Sequence, residues 1–327
     1  MNLPLASTAA VAVAAAVLTL AIAIAWWRRH RRGRWVSWIV VGVLTIAVGA
    51  IGVNDYFAYF PTMADVAGRH AKDQASPAKV AAVAALPTPP ARGLVEQVAI
   101  AGTASGFVAR PAEIYLPPAW FTTPRPALPV IELLHGSPGT PEDWTRGAQV
   151  DVVSDQWALD HGGFAPIIVM PDVNGSFTGN TQCLNGRRGN AETYLVDDVH
   201  RFVVDTYGAR TDRNGWTVGG LSEGGYCALN LTATHPDVFA TFLDFGGSGR
   251  PRHWHHHPED VAGWFEVGSA DGLTTREVQA TAGAMGRAGL EAHLTLVPDG
   301  HHTFRVWRQA FADALPWTVS RMQPTAA

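Results

Sequence analysis

A serine at position 222 sits between small residues in Gly219-Gly220-Leu221-Ser222-Glu223-Gly224-Gly225. An apolar run, Trp216-Thr217-Val218, precedes it, and a helix-like stretch from Tyr226 to Thr234 follows. Gly-x-Ser-x-Gly between strand and helix predicts a turn so tight that the residues around the serine must be small. Such a turn lifts the hydroxyl clear of the sheet and aims the start of the next helix at it. A hydroxyl is a weak nucleophile at neutral pH, so it needs a base, and the base needs an acid to orient it. In this kind of turn the chain order is serine, acid, histidine. Downstream, the strand-like Trp264-Phe265-Glu266-Val267-Gly268 runs into Ser269-Ala270-Asp271-Gly272, which makes Asp271 the candidate acid. A last strand-like run, Leu294 to Pro298, is followed by two adjacent histidines, His301 and His302, which compete for the role of base. The only lysines, Lys72 and Lys79, lie upstream, so a Ser-Lys pair built from this region is excluded.

Acyl chemistry on a serine also needs two backbone N–H groups aimed at the developing oxyanion, one just after the nucleophile and one from an earlier loop. Glu223 supplies the first by position. Val130 to Leu134 reads as a strand ending in His135-Gly136-Ser137-Pro138-Gly139. Pro138 has no N–H to give, which points to the Ser137 amide as the second donor.

The segment His302-Thr303-Phe304-Arg305-Val306-Trp307 resembles the esterase D and mycolyltransferase branch of the α/β-hydrolases. In that branch the catalytic histidine is followed by an aromatic residue two positions on and a tryptophan five positions on. The register selects His302 and puts His301 where the family has a small residue. The resemblance covers roughly residues 93 to 320, and it implies the α/β-hydrolase fold and acyl-transfer chemistry.

The elements that must position these groups alternate along the chain. Leu94–Ile100 and Ala112–Leu116 suggest an antiparallel entry. Val130–Leu134, Ile167–Met170, Trp216–Val218, Phe239–Phe245, Trp264–Val267 and Leu294–Val297 suggest the main sheet. Helical patterns lie between them at 149–160, 192–206, 223–234, 274–288 and 304–314. That alternation predicts an α/β architecture with a doubly wound, mostly parallel sheet over residues 93–327.

The N-terminus follows a different logic. Ala6 to Trp27 and Trp35 to Val53 carry no charge, and each is long enough to cross a bilayer as a helix. Between them stands Arg28-Arg29-His30-Arg31-Arg32-Gly33-Arg34. No Lys or Arg precedes Arg28, whereas a secretory signal would carry its positive charge ahead of the apolar run. Residues 1–53 are therefore read as a two-helix transmembrane hairpin, in contact with lipid from 6 to 53. The arginine turn is cytoplasmic by the positive-inside rule, and the rest lies outside the plasma membrane. Residues 54–92, with Pro87-Thr88-Pro89-Pro90 at their end, are read as an extracytoplasmic stalk.

The net charge of −4 and the lack of a basic patch argue against nucleic-acid binding. Cys183 and Cys227, the only cysteines, are candidates for a disulfide on the oxidising side of a membrane. His253-Trp254-His255-His256-His257 lacks the accompanying ligands of a metal site and reads as a polar pocket rim. Asp172, Asn174, Arg187 and Arg188 fall on loops that follow a strand, and Trp144 fits either an acyl-pocket wall or the core. The expectation is a membrane-anchored, extracytoplasmic serine esterase acting on carboxylic, lipid-type esters, with no cofactor and no metal. An acyltransferase passing the acyl group to a sugar or lipid hydroxyl is the alternative enzyme reading, and a non-catalytic binding module the alternative outside enzymes.

Overall fold

A computed structural model describes residues 4–68, 74–249 and 261–322; the histidine-rich run at 253–257 lies outside the described residues. The chain forms two compact units, one holding the N-terminal helices and one holding the sheet.

In the first unit α1 (Thr8–Trp27) starts where the Ser7 side chain accepts the Ala10 N–H, and α2 (Arg34–Phe57) starts after Gly33 at φ 76°. Both have a mean hydropathy of 2.4, and both are long and apolar enough to cross a membrane. Their large side chains face outward: Leu20 is 62% and Ile46 74% exposed. Thr19 and Thr45 donate their hydroxyls to the carbonyls four residues back, which keeps polar hydrogens off these apolar surfaces. In the turn, Arg29 stacks over Trp26 at 3.6 Å and Arg31 over Trp27 at 4.2 Å. At the open end Leu5 N–H donates to Pro61 O.

The second unit is built on a nine-stranded sheet. Its strands are β1 (Gln74–Ala75), β2 (Leu94–Val98), β3 (Ala112–Leu116), β4 (Val130–Leu134), β5 (Ile167–Met170), β6 (Trp216–Leu221), β7 (Thr241–Phe245), β8 (Ala262–Gly268) and β9 (Glu291–Val297). The order across the sheet is β1-β2-β3-β5-β4-β6-β7-β8-β9. β3 pairs antiparallel with β2 and β5, as the entry pattern anticipates, and every other pairing is parallel. Strands β3 to β7 are buried along their whole length, the expected result of covering a parallel sheet on both faces. The architecture is that of an α/β-hydrolase.

Several boundaries differ from the sequence pattern for physical reasons. β7 begins at Thr241, because Phe239 N–H closes a turn onto His235 O before the strand starts. β9 begins at Glu291 because it runs beside β8 from Ala262↔Glu291 onward, and as an edge strand it needs no continuous apolar run. The helical pattern at 192–206 forms over 191–207, with wide π-type turns from Tyr194 to Val199. The last helix, Phe304–Arg321, runs through Pro316 instead of stopping at 314. Burial of Leu315, Thr318 and Val319 outweighs a proline cost of about 3 kcal/mol.

The segment read as a stalk is in part docked on the sheet. Gln74 and Ala75 pair with Val95 and Glu96, and α3 (Pro77–Ala84), capped by Ser76, buries Val80. Two small apolar side chains inside the core decide this, and an alanine-rich stretch does not advertise them.

Cys183 and Cys227 are joined in a disulfide that closes a loop of 44 residues. On the chain-entropy account such a loop contributes about 4 kcal/mol. Replacing both cysteines by alanine should lower the urea midpoint of the sheet unit and raise its m-value, because the unfolded chain is freed to expand, and a reductant should do the same to the wild type.

Candidate active site

Everything at the site is referred to the end of β6. Ser222 follows Leu221 directly, with φ 55° and ψ −120°, and the helix Glu223–Thr234 starts at the next residue. Such a backbone costs on the order of 1–3 kcal/mol for a residue with a Cβ, so its surroundings must hold it there. Ser222 N–H donates to Phe245 O, and Ser222 O accepts from Gly225 and Tyr226. A Cβ at Gly220 would lie 2.0 Å from the Gly224 carbonyl carbon, and one at Gly224 would lie 1.9 Å from Leu134 O. The helix start therefore rests backbone to backbone on the ends of β6 and β4, and only glycine fits.

Asp271 and His302 come from the two loops beyond it. Ala270 N–H donates to Gly300 O, Ser269 N–H to Val297 O, and Asp299 N–H to the Ser269 hydroxyl. These bonds lace the loop after β8 to the loop after β9, bringing Asp271 and His302 together. The His302 Nδ1 is 2.7 Å from Asp271 Oδ2, and its Nε2 is 2.9 Å from Ser222 Oγ. Asp271 is 11% and His302 37% exposed, and the Trp307 ring meets the imidazole edge to face at 4.9 Å. Of the two adjacent histidines, His302 bridges the serine and the aspartate, while His301 is exposed to solvent. With Nδ1–H donating to the carboxylate, Nε2 is left to accept the serine hydroxyl, the arrangement a general base requires.

The loop after β4 approaches from the other side. A Cβ at Gly136 would stand 3.2 Å from the Ser222 Cβ, which puts the 136–139 turn against Ser222. The Ser137 hydroxyl donates to Gly179 O at 2.6 Å, and Gly139 N–H donates to Phe177 O at 3.0 Å. Glu223 opens the helix, where first-turn N–H groups have no intrahelical partner.

Under that turn lies a polar cluster that the sequence leaves unassigned. His135 is buried, with Nδ1 2.7 Å from Gly136 O and Nε2 3.1 Å from Asp172 Oδ1. Arg110 donates to Asp172 Oδ1 at 2.6 Å and to Gly139 O at 3.0 Å. Burial alone would push the Asp172 carboxyl up, but hydrogen bonds from His135, Arg110 and backbone amides outweigh it and hold the carboxyl well below the usual range. Asn174 and Glu223 also meet: Asn174 Nδ2 donates to Glu223 Oε2 at 2.9 Å, and Gln182 N–H donates to Glu223 Oε1 at 2.9 Å. Arg110 escaped the sequence reading of the site, and His135 entered it only as the first residue of the turn, because their partner Asp172 is distant along the chain. Trp144 is fully buried beside the Phe245 ring, and so belongs to the core.

Comparison with known proteins agrees with this architecture. Residues 109–318 match the family described as "Putative esterase". An uncharacterised protein of Corynebacterium glutamicum is 32% identical over 266 residues, which cover 70% of this chain and 62% of that protein. The chain thus spans less than two thirds of the length of this curated relative. Among solved structures, a ferulic acid esterase is similar with a TM-score of 0.62 at 19% identity, over 70% of this chain and 98% of that one. An S-formylglutathione hydrolase from Staphylococcus aureus is similar with a TM-score of 0.53 at 16% identity, over 71% and 99%. At these identities the structural likeness is one of fold.

The same close packing that seats the helix buries acids. Asp244 accepts the Gly247 N–H at 2.6 Å, and burial pushes its carboxyl up to about 7. Burial pushes Glu113 and Asp151 to about 7 as well. A carboxyl raised on folding favours the protonated native state, so its stabilisation is complete below the unfolded value of about 4 and is lost as pH rises through 7. The melting temperature of the sheet unit should therefore fall between pH 5 and 8, and Asp244→Asn should flatten that slope. Thermal melts across pH check this; a melting temperature that climbs over that range contradicts it.

Proposed function

The chain belongs to the "Putative esterase" family, and from that premise we propose that it is a serine ester hydrolase with Ser222 as nucleophile. His302 takes the Ser222 proton as Oγ attacks the ester carbonyl, and Asp271 holds the imidazole in place through Nδ1. The amides of Ser137 and Glu223 receive the oxyanion of the tetrahedral intermediate. His302 then returns the proton to the leaving alcohol, and an acyl-enzyme remains on Ser222. Water, deprotonated by His302, resolves it to the free acid. The observation that carries this reading is a single imidazole within hydrogen-bond reach of both Ser222 Oγ and Asp271 Oδ2, at 2.9 and 2.7 Å. No step calls for a metal or cofactor.

We further infer that residues 6–53 sit in the plasma membrane with the arginine turn cytoplasmic and the hydrolase outside. The outward-facing apolar surfaces of α1 and α2 support the first part. The Cys183–Cys227 disulfide supports the second, because such bonds persist on the oxidising side of a membrane. An enzyme so placed meets lipid-type carboxylic esters in the outer leaflet.

Ser222→Ala should lower p-nitrophenyl ester turnover by roughly 10⁴-fold or more and abolish labelling by a fluorophosphonate, with the melting temperature retained. His302→Ala should cost a comparable factor and His301→Ala less than about tenfold; the reverse ranking would move the base by one residue. With a labelled acyl ester the product should be free acid whether or not trehalose, glycerol or lysolipid is present. An acceptor ester that grows with acceptor concentration would make the protein a transferase.

Protease added to intact cells should release an ester-hydrolysing fragment that begins between residues 58 and 92. Protection of that fragment until the membrane is lysed would reverse the orientation.

A further inference from the structure

The residue after the nucleophile carries a long acidic side chain that the acyl-transfer steps do not use. It is placed to connect the two halves of the oxyanion site. Its carboxylate accepts Asn174 Nδ2 on one oxygen and Gln182 N–H on the other, both at 2.9 Å. Between these residues the chain folds tightly on itself, with Thr181 N–H donating to Asn174 Oδ1 at 2.8 Å and the Thr181 hydroxyl to Val173 O at 2.7 Å. The same segment grips the turn after β4, as Gly179 O takes the Ser137 hydroxyl at 2.6 Å and Phe177 O takes Gly139 N–H at 3.0 Å. One residue further on, Cys183 is bonded to Cys227 on the helix that Glu223 begins. The contacts form a closed path from the Glu223 amide, through its own carboxylate and residues 174–182, to the Ser137 amide.

We propose that the Glu223 side chain is a positioning residue for acyl transfer, fixing the Ser137 amide relative to the Glu223 amide by holding the 174–182 segment between them. The inference rests on the assignment of those two amides as oxyanion donors. A carboxylate is required, because both groups facing it are donors and each needs an acceptor. Asn174 cannot turn its amide around, since its Oδ1 is already held by Thr181 N–H. A glutamine at 223 would satisfy Gln182 with its oxygen and then set its own NH₂ against that of Asn174. Burial raises the Glu223 carboxyl above its usual range, while the bonds from Asn174 and Gln182 pull it down. Donors placed before the reaction stabilise charge that develops only in the transition state, so a loosened pair should lower kcat and leave ground-state binding nearly untouched.

The hydrogen-bond polarity also supplies a swap. In Glu223→Gln combined with Asn174→Asp, the glutamine NH₂ donates to the new carboxylate, and its oxygen still accepts Gln182 N–H. The other oxygen of that new carboxylate takes over the bond from Thr181 N–H. Net charge is unchanged and every bond is restored. The full-length protein, purified in detergent, is to be assayed with a p-nitrophenyl ester as wild type, as each single variant, as the pair, and as Ser222→Ala. Active sites are counted by fluorophosphonate labelling. Glu223→Gln should lose on the order of 10- to 100-fold in kcat with KM within about twofold. Asn174→Asp, which opposes two carboxylates, should lose at least as much, and the pair should recover to within about fivefold of wild type. Where Glu223→Gln does not fold, Asn174→Ala removes one donor and leaves Gln182 in place; it should lower kcat in the same sense by a smaller factor. Full kcat in Glu223→Gln, or a pair whose losses multiply, would overturn the proposal. Turnover surviving in Ser222→Ala would instead overturn the underlying site assignment, so the two failures are distinguishable.

Discussion

The site depends on one contact that contains no side chain: the start of the helix after Ser222 lies directly on the carbonyl ends of β6 and β4. At Gly220 and Gly224 the spacing leaves 2.0 Å and 1.9 Å for a Cβ, less than any real contact permits. This closeness puts the first-turn amides beside Ser222 and points the helix N-terminus at any charge developing there. It also forces Ser222 into a backbone conformation that side chains avoid. The bond from Ser222 N–H to Phe245 O, and the strands buried on both faces around it, offset that strain.

Around this fixed point the surrounding loops are laced to one another more than they are packed by apolar groups. The turn carrying Asp271 and the turn carrying His302 share backbone bonds, so the imidazole and carboxylate meet without either belonging to a regular element. The turn carrying Ser137 rests on the fully buried His135 and Asp172 and on the partly exposed Arg110, which bond to one another and to the turn. Hydrogen bonds among these groups reinforce one another in the low dielectric of the interior and stiffen this floor of the loop, although Arg110 Nε finds no partner. Glu132, fully buried in β4 with neither carboxylate oxygen bonded, is the counter-example: burial holds it well above its usual range, and it takes no part in that floor.

The two N-terminal helices obey the opposite solvent rule. Their apolar side chains point outward, the Thr19 and Thr45 hydroxyls are satisfied within their own helices, and arginines and tryptophans gather at the turn. The sheet unit turns polar groups to solvent and binds its two cysteines to each other. One chain thus carries two units whose surfaces suit different surroundings, which is the physical content of the anchored-esterase proposal.

Much of this was legible in the residues alone, for a simple reason. Chemistry that depends on one residue type at one local spacing leaves a local trace. The glycines around Ser222, the strand-then-turn placement of Asp271 and His302, the uncharged runs flanking five arginines and the alternation of apolar segments are all such traces. The choice between His301 and His302 rested on family register, and in the structure only His302 bridges Ser222 and Asp271. The docking of Gln74–Ala75 on the sheet and the helix continuing through Pro316 depend on small packing energies that local propensity opposes. The Arg110–His135–Asp172 floor and the Glu223–Asn174–Gln182 link are contacts across dozens of residues. A sequence records which donors and acceptors exist; which of them meet is decided only when the sheet brings its loops to the same end.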